Sequence, residues 1–351
     1  MEQDHREFLD ALLSTATPSG FETAGQRAWV EYVSAFADRV TTDAYGNAVA
    51  VVEGGDRTVA LAGHGDEIGF MVRDIEEDGT IRLTRVGGSD RTVSKGQHVQ
   101  IHTDDGPVPG VIGQTAIHLR ERDDDTVEDI SEQHVDIGVE DHDAAAELVE
   151  RGDPITFDQT VTELEGDRIA ARGLDNRIGI WAAAEGLRRA AEHDPEVTVC
   201  AVSTVQEELG LKGAQMVGFD LAPDVVVATD VTHATDAPGT PGKRQTGVEL
   251  GAGPVVARGS ANHPVVVEAV RETADEAEID VQLQATGRRT GTDADAFYTS
   301  RGGIPALNLG VPNRYMHTPV EVLDLADLDA AATLLGRFAA RAHEFEFVVD
   351  I

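Results

Sequence analysis

The 351-residue chain has one cysteine, Cys200, and three lysines, Lys95, Lys212 and Lys243. A single thiol excludes an intramolecular disulfide. Its setting in EVTVCAVST, an apolar β-like run, reads as a small core residue; a nucleophile needs an electropositive, accessible setting. Positive charge is scarce, with 28 basic residues against 64 acidic ones and a net charge of −36. Such a surface repels nucleic acid and anionic lipid, so neither is expected as a partner. No stretch approaches the roughly 20 apolar residues of a membrane span, and the charged start MEQDHREFLDALL lacks the apolar core of a targeting segment. The expectation is a soluble, cytoplasmic protein. The acid-rich, lysine-poor composition points further to a salt-saturated, halophilic cytoplasm, where concentrated cations screen the self-repulsion of a compact state. Also missing are a GxSxG elbow and a P-loop, and the glycines of GRRTGTDADAF and VARGSANHP do not follow the strand, turn and helix order of a dinucleotide fingerprint. Cofactor redox chemistry is therefore set aside.

What is present is enough apolar residue, 41% of the chain, to bury a full core. HREFLDALLSTATPSGFETAGQRAWVEYVSAFADRV carries two amphipathic helical patterns separated by Pro18 and Gly20, and NAVAVVEG and RTVALAGHG are strands with a turn at Gly54 and Gly55. From about residue 68 to 164 the texture changes to six short β-like runs, IGFMVRDI, TIRLTRV, HVQIHT, PVPGVIG, HVDIGV and DPITFD, which suggest a small barrel or sandwich. Helix and strand patterns then alternate to the end of the chain, with strands apolar throughout, as in a sheet covered by helices on both faces. The expected fold class is α/β, a mixed sheet interrupted by an inserted β domain. LRERDDDTVEDISEQH, residues 119–134, shows no usable periodicity and reads as a mobile acidic loop. His118 adjoins it and is the one remaining histidine worth testing; His98, His102 and His134 read as structural or exposed.

The chemistry sits in five short islands: His64 and Asp66 in AGHGDEIGF, Asp175 in RGLDNRIGI, Glu207 and Glu208 in VQEELGLKGA, Asp230 in VVVATDV, and His317 in RYMHTPVE. Each is weak alone, since HxD occurs in turns, paired glutamates open helices, and aspartates cap them. Their placement is more telling. The glutamates, Asp175 and Asp230 end or follow apolar runs, where open α/β sheets bind ligands. Two zinc or cobalt ions need two imidazoles, one shared carboxylate and a terminal carboxylate each, and His64, His317, Asp175, Glu208 and Asp230 fill those places. Glu207 is left for proton transfer. Asp66, two residues from His64 on one strand face, can orient the imidazole.

Taken together and in this order, HGDEIG, GLDNRIG, VQEELGLKGA, VATDV and RYMHTP, with about a hundred residues between the first two, closely resemble the M42 family of metalloaminopeptidases, the tetrahedral or TET peptidases. The resemblance spans nearly the whole chain. HxD and paired glutamates also occur in M20 and M28 peptidases, whereas the long insertion and the phrases around Asp175, Lys212 and His317 favour M42. It implies a catalytic α/β domain over 1–67 and 165–351 and an inserted β-barrel dimerisation domain over 68–164. It further implies that Asp175 bridges two divalent ions, zinc or cobalt, that His64 and Asp230 complete one site and Glu208 and His317 the other, and that Glu207 is the general base on a water between them. Gly65 stands where relatives commonly carry a larger apolar residue; it points away from its neighbours, so ligation is expected to survive. The implied assembly is a hollow tetrahedron of twelve subunits built from dimers, which degrades short peptides from the free amino end. The alternatives are a metallohydrolase of other substrates, such as a deacylase or glycan hydrolase, and a non-enzymatic assembly protein.

Overall fold

The computed structural model describes residues 1–120 and 126–351. Helices α1 (Gln3–Ser14) and α2 (Thr23–Val33) lead into strands β1 (Arg39–Thr42), β2 (Ala48–Val52) and β3 (Thr58–His64). Six strands follow: β4 (Gly69–Ile75), β5 (Ile81–Val86), β6 (His98–Thr103), β7 (Gly106–Ile112), β8 (His134–Asp136) and β9 (Pro154–Phe157), with a short helix α3 (His142–Ala146) before the last. Then come β10 (Thr162–Leu164), β11 (Arg168–Ala171), α4 (Leu174–Ala191), β12 (Thr198–Thr204), α5 (Lys212–Leu221) and β13 (Val225–His233). The chain closes with β14 (Val255–Arg258), α6 (Pro264–Glu276), β15 (Gln282–Ala285), α7 (Ala294–Phe297), β16 (Ala306–Asn313), β17 (Glu321–Asp324) and α8 (Leu325–Arg341).

Eight strands form one mixed sheet in the order β1-β2-β12-β3-β13-β16-β14-β15. Its centre, β12-β3-β13-β16, is parallel, and these strands are apolar without alternation because both faces are covered. On one face α1, α2, α4, α6 and α8 share a core with Val199 and Ala201 of β12. On the other, Ala214 and Val217 of α5 and Ala296 and Phe297 of α7 pack with Cys200 and Val202. The cysteine is thus a core residue, with burial pushing its thiol up to about 12. Trp29 and Trp181 are fully buried and donate their indole N–H groups to Ile180 O and His5 O, both at 2.9 Å, which pins α1 and α2 to α4.

The six β-like runs between residues 68 and 164 close as a barrel in the order β4-β5-β8-β7-β6-β9. It is filled by its own residues, among them Phe70, Leu83, Ile101 and Ile155. The chain is therefore α/β with a mixed helix-covered sheet and a small closed barrel. β10 does not join the barrel; it pairs with β11, and β11 with β17, in a separate three-stranded sheet. The run 119–134 departs from the expected loop at its far end. Asp129 and Glu132 form a capping box around the turn Ile130–Glu132, and the buried Gln133 accepts from Ser94 Oγ at 2.5 Å, so burial of one amide overrides the polar composition. Residues 121–125 of that run lie outside the described residues. His118 is exposed in the turn Ile117–Leu119. No helix among the described residues is long and apolar enough to cross a membrane.

Candidate metal centre

Strand register gathers the donors. β3 and β13 pair Ala62 with Ala228, and two residues further along each strand stand His64 and Asp230. β12 pairs Thr204 with His64, and its continuation carries Glu207 and Glu208 around a turn in which Gln206 takes a left-handed φ of 54°. α4 brings the next donor from the helical face. A Cβ on Gly63 would lie 2.4 Å from the Gly179 carbonyl carbon, so only glycine lets the helix rest this closely on β3. Asn176 caps this helix, its Oδ1 accepting from Gly179 N at 3.0 Å and its Nδ2 donating to Thr229 O at 2.8 Å. Asp175 is thereby free of capping duty.

The resulting geometry is compact. Asp175 Oδ1 stands 3.3 Å from His64 Nε2 and Asp175 Oδ2 stands 3.2 Å from His317 Nε2. Glu208 Oε1 is 3.4 Å from the same His317 nitrogen. Asp230 Oδ1 and Glu207 Oε2 each lie 3.8 Å from His64 Nε2. All seven residues named from the sequence meet here, including Asp66, whose Oδ1 is 3.3 Å from His64 Nδ1. Asp66 also accepts from the backbone N–H groups of Glu207 (2.9 Å) and Glu208 (3.2 Å) and from Ser19 Oγ (2.7 Å), so one buried carboxylate orients the imidazole and the glutamate turn together. Gly65 lies beside this network; a Cβ there would meet Ser203 Oγ at 3.2 Å and Gln26 Oε1 at 3.3 Å. His317 sits at a left-handed φ of 62°, and its Nδ1 lies 3.3 Å from Gly88 O of the barrel side, which turns Nε2 towards the carboxylates.

Three functional groups escaped the sequence reading. Glu321 accepts from Asp175 N at 3.0 Å and from His317 N at 2.9 Å, tying together the two donors that share it. Its signal was its place at the end of the same phrase, RYMHTPVE. Glu67, beside Asp66, is buried between Arg172 and Arg177 and accepts from Thr17 N at 2.9 Å. Asp293 is buried behind the donors, bonded to Thr204 Oγ1 at 2.5 Å, with its Oδ1 unpartnered.

The donor set fits divalent cations. In a tetrahedral site with bonds of about 2.0–2.1 Å the ligand atoms stand about 3.3 Å apart, close to the spacings around Asp175. Without cations the cluster is overloaded with negative charge. Burial, with Asp230 and Asp293 as neighbours, pushes Glu207 up to about 10 against the pull of His64. Burial likewise raises Asp230 and Glu208. His317, bonded to Asp175 and Glu208, rises to about 11. Burial opposes protonation of His64, yet Glu207, Asp175, Asp66 and Asp230 hold it well above its ordinary value. A divalent cation bound among these donors would supply the positive charge that the buried carboxylates call for, and its binding would release protons. The cavity around these donors has a volume of about 500 Å³ and is continued by residues 284–292.

Imidazole and carboxylate donors converging at the carboxyl ends of parallel strands define an α/β enzyme with a site suited to metal-assisted hydrolysis. The sequence profile of the M42 glutamyl aminopeptidases matches residues 46–334, and the chain belongs to that family of peptide-bond hydrolases. A lysyl aminopeptidase of Pyrococcus furiosus is 35% identical over 345 residues, 97% of this chain and 98% of the relative. The crystal structure of a TET aminopeptidase from the marine sediment archaeon Thaumarchaeota archaeon SCGC AB-539-E09 is similar at a TM-score of 0.91 and 31% identity, covering 97% of each chain. The TET1 peptidase of Pyrococcus horikoshii, described as assembling into a tetrahedron or a large octahedral shell, has a TM-score of 0.85 and 33% identity over 95% of this chain and 99% of its own.

Proposed function

We propose that the protein is a dinuclear metal aminopeptidase that removes residues from the free amino end of short peptides. The observation that carries this is the placement of Asp175, whose two oxygens face different imidazoles at 3.3 and 3.2 Å. Shared by two ions, Asp175 would join His64 and Asp230 in holding one and His317 and Glu208 in holding the other, three protein donors each, the usual complement of a catalytic site with an open position. Glu207 stands as close to His64 Nε2 as Asp230 does and groups with both, so its assignment to proton transfer follows the M42 resemblance and not distance. Zinc or cobalt held by these residues would lower the pKa of water and polarise the scissile carbonyl. Glu207 takes the proton of the attacking water and returns it to the leaving amine, while Asp66 and Glu321 hold the donors in register. Hydrolysis of aminoacyl anilides and unblocked peptides, measured with each metal and after N-acetylation, tests this reading; equal hydrolysis of acetylated substrates would refute exopeptidase action.

The same reading assigns residues 1–67 and 165–351 to catalysis and 68–164 to dimerisation, with six dimers on the edges of a hollow tetrahedron making twelve subunits. The assembly described for the Pyrococcus horikoshii relative supports it. Sedimentation or light scattering decides, and a stable, fully active monomer would defeat it. A salt-rich cytoplasm as the working compartment follows from the net charge of −36 and the single buried thiol.

A further inference from the structure

We propose that Glu22 is a positioning residue for the reaction: it fixes the turn that presents Glu207 by accepting the backbone N–H of Gln206. It rests on the reading of Glu207 as the general base and adds a residue that acts through it.

β12 ends at Thr204, so the N–H groups that follow have no partner strand and must be satisfied otherwise. Four in succession are taken by side chains. Asn47 Oδ1 accepts from Val205 N at 2.9 Å, Glu22 Oε1 from Gln206 N at 3.2 Å, and Asp66 from the N–H groups of Glu207 and Glu208. The carbonyls are held as well: Lys212 N donates to Gln206 O at 3.1 Å, and Gly210 N and Leu211 N both donate to Glu207 O at 2.8 Å. Of these acceptors Glu22 serves the residue immediately before the base, whose left-handed φ of 54° sets the direction of the turn. A residue other than glycine keeps that conformation only when its surroundings hold it there.

Glu22 is 4% exposed and comes from a distant part of the chain, TPSGFE, 184 residues from Gln206. Its oxygen is itself fixed by a second bond, from Gly20 N at 2.7 Å, and the same loop sends Ser19 Oγ to Asp66 Oδ2 at 2.7 Å. Ser19 N donates to Glu67 O at 3.1 Å and Glu67 N to Thr17 O at 2.9 Å, which lays the loop along the end of β3. Residues 17–22 therefore brace the glutamate turn twice, through Asp66 and through Glu22. Asp66 also contacts His64, so its loss would disturb a metal donor directly. Glu22 is bonded to none of the seven converging residues, and its loss probes the turn alone. A displacement of about 1 Å in a proton-transfer group is enough to cost about a hundredfold in rate.

The test measures kcat, KM and bound metal with an aminoacyl p-nitroanilide and the intact, metal-loaded enzyme in molar KCl. The pH is held at about 8.5, above the value of about 7 to which burial pushes Glu22. E22A should lower kcat about ten- to a hundredfold, with KM within about twofold and the wild-type metal content retained. E22Q keeps the accepting oxygen and should recover most of the rate. E22D keeps the charge but draws the oxygen back by one methylene and should not; this pair decides if E22A folds poorly. Added to E207Q, E22A should cost less than about twofold further, because a brace that acts through Glu207 has nothing left to position. An unchanged kcat in E22A or E22D, loss of an ion, a penalty in E207Q equal to that in the wild type, or E22Q no better than E22A overturns the proposal. A wild type that hydrolyses no aminoacyl anilide with zinc or cobalt overturns the aminopeptidase reading and the proposal with it.

Discussion

Replacing Glu67 by glutamine keeps the side chain's shape and removes its charge. Glu67 is 2% exposed, joined to Arg172 and Arg177, and Arg177 in turn donates to Thr15 O at 2.9 Å and Gly173 O at 3.1 Å. The group thus ties the loop after α1 and the end of β3 to the start of α4, where Asp175 stands. Burial alone would raise the carboxyl, but the two guanidinium groups bring it down from 4.5 to about 2, which corresponds to about 3 kcal/mol of stabilisation above pH 4.5. Loss of one partner from a buried pair costs about 3–5 kcal/mol, in agreement and a large share of the roughly 5–15 kcal/mol that holds a domain together. Because the native carboxyl binds its proton less readily than the unfolded one, this contribution disappears as pH falls from about 4.5 towards 2. Urea unfolding at constant molar KCl, repeated down that pH range, should show Glu67→Gln less stable by about 3 kcal/mol at pH 7, with the difference shrinking in acid. An unchanged midpoint at pH 7, or a difference that persists at pH 2, would refute the clamp.

Glu321→Gln, which retains one carbonyl acceptor for two N–H donors, should weaken metal binding about ten- to a hundredfold by calorimetry while the fold persists. Removing metal with a chelator should lower the thermal midpoint reversibly, because the buried carboxylates lose their counter-charge; identical melting with and without metal would contradict this. Cys200 should resist a thiol reagent at pH 8 until the protein unfolds, given its burial and raised pKa. Dilution from molar to millimolar salt should loosen the fold, as circular dichroism would report; an indifferent spectrum would count against the halophilic reading.

Most of the architecture was legible because it rests on periodicity. The six runs from IGFMVRDI to DPITFD are the six barrel strands, and the unalternating VTVCAVST and VVVATD are covered strands of the sheet. Short elements were less so. RVTT of β1 is four residues at a sheet edge, with only Val40 part-buried; β10 and β11 are a hairpin of very short strands, and β11 meets β17 only through a contact distant in sequence. At the site, residue type and strand-end position singled out the seven residues that converge. Their supports were hidden, because a carboxylate that accepts backbone N–H groups, as Glu321 does, looks in sequence like any other acid. The capping work of Asn176, which frees Asp175, depends on a close approach of helix and strand that no local pattern announces.

The central claim is that Asp175 serves both metal positions and Glu207 neither. Metal analysis and turnover of Glu207→Gln, set beside the wild type, test it together. The account predicts two divalent ions per subunit in both proteins and a fall in kcat of about 10²–10⁴-fold in the variant. Loss of an ion from Glu207→Gln would make that residue a ligand, and a near-normal rate would remove it as the base; either result contradicts the account.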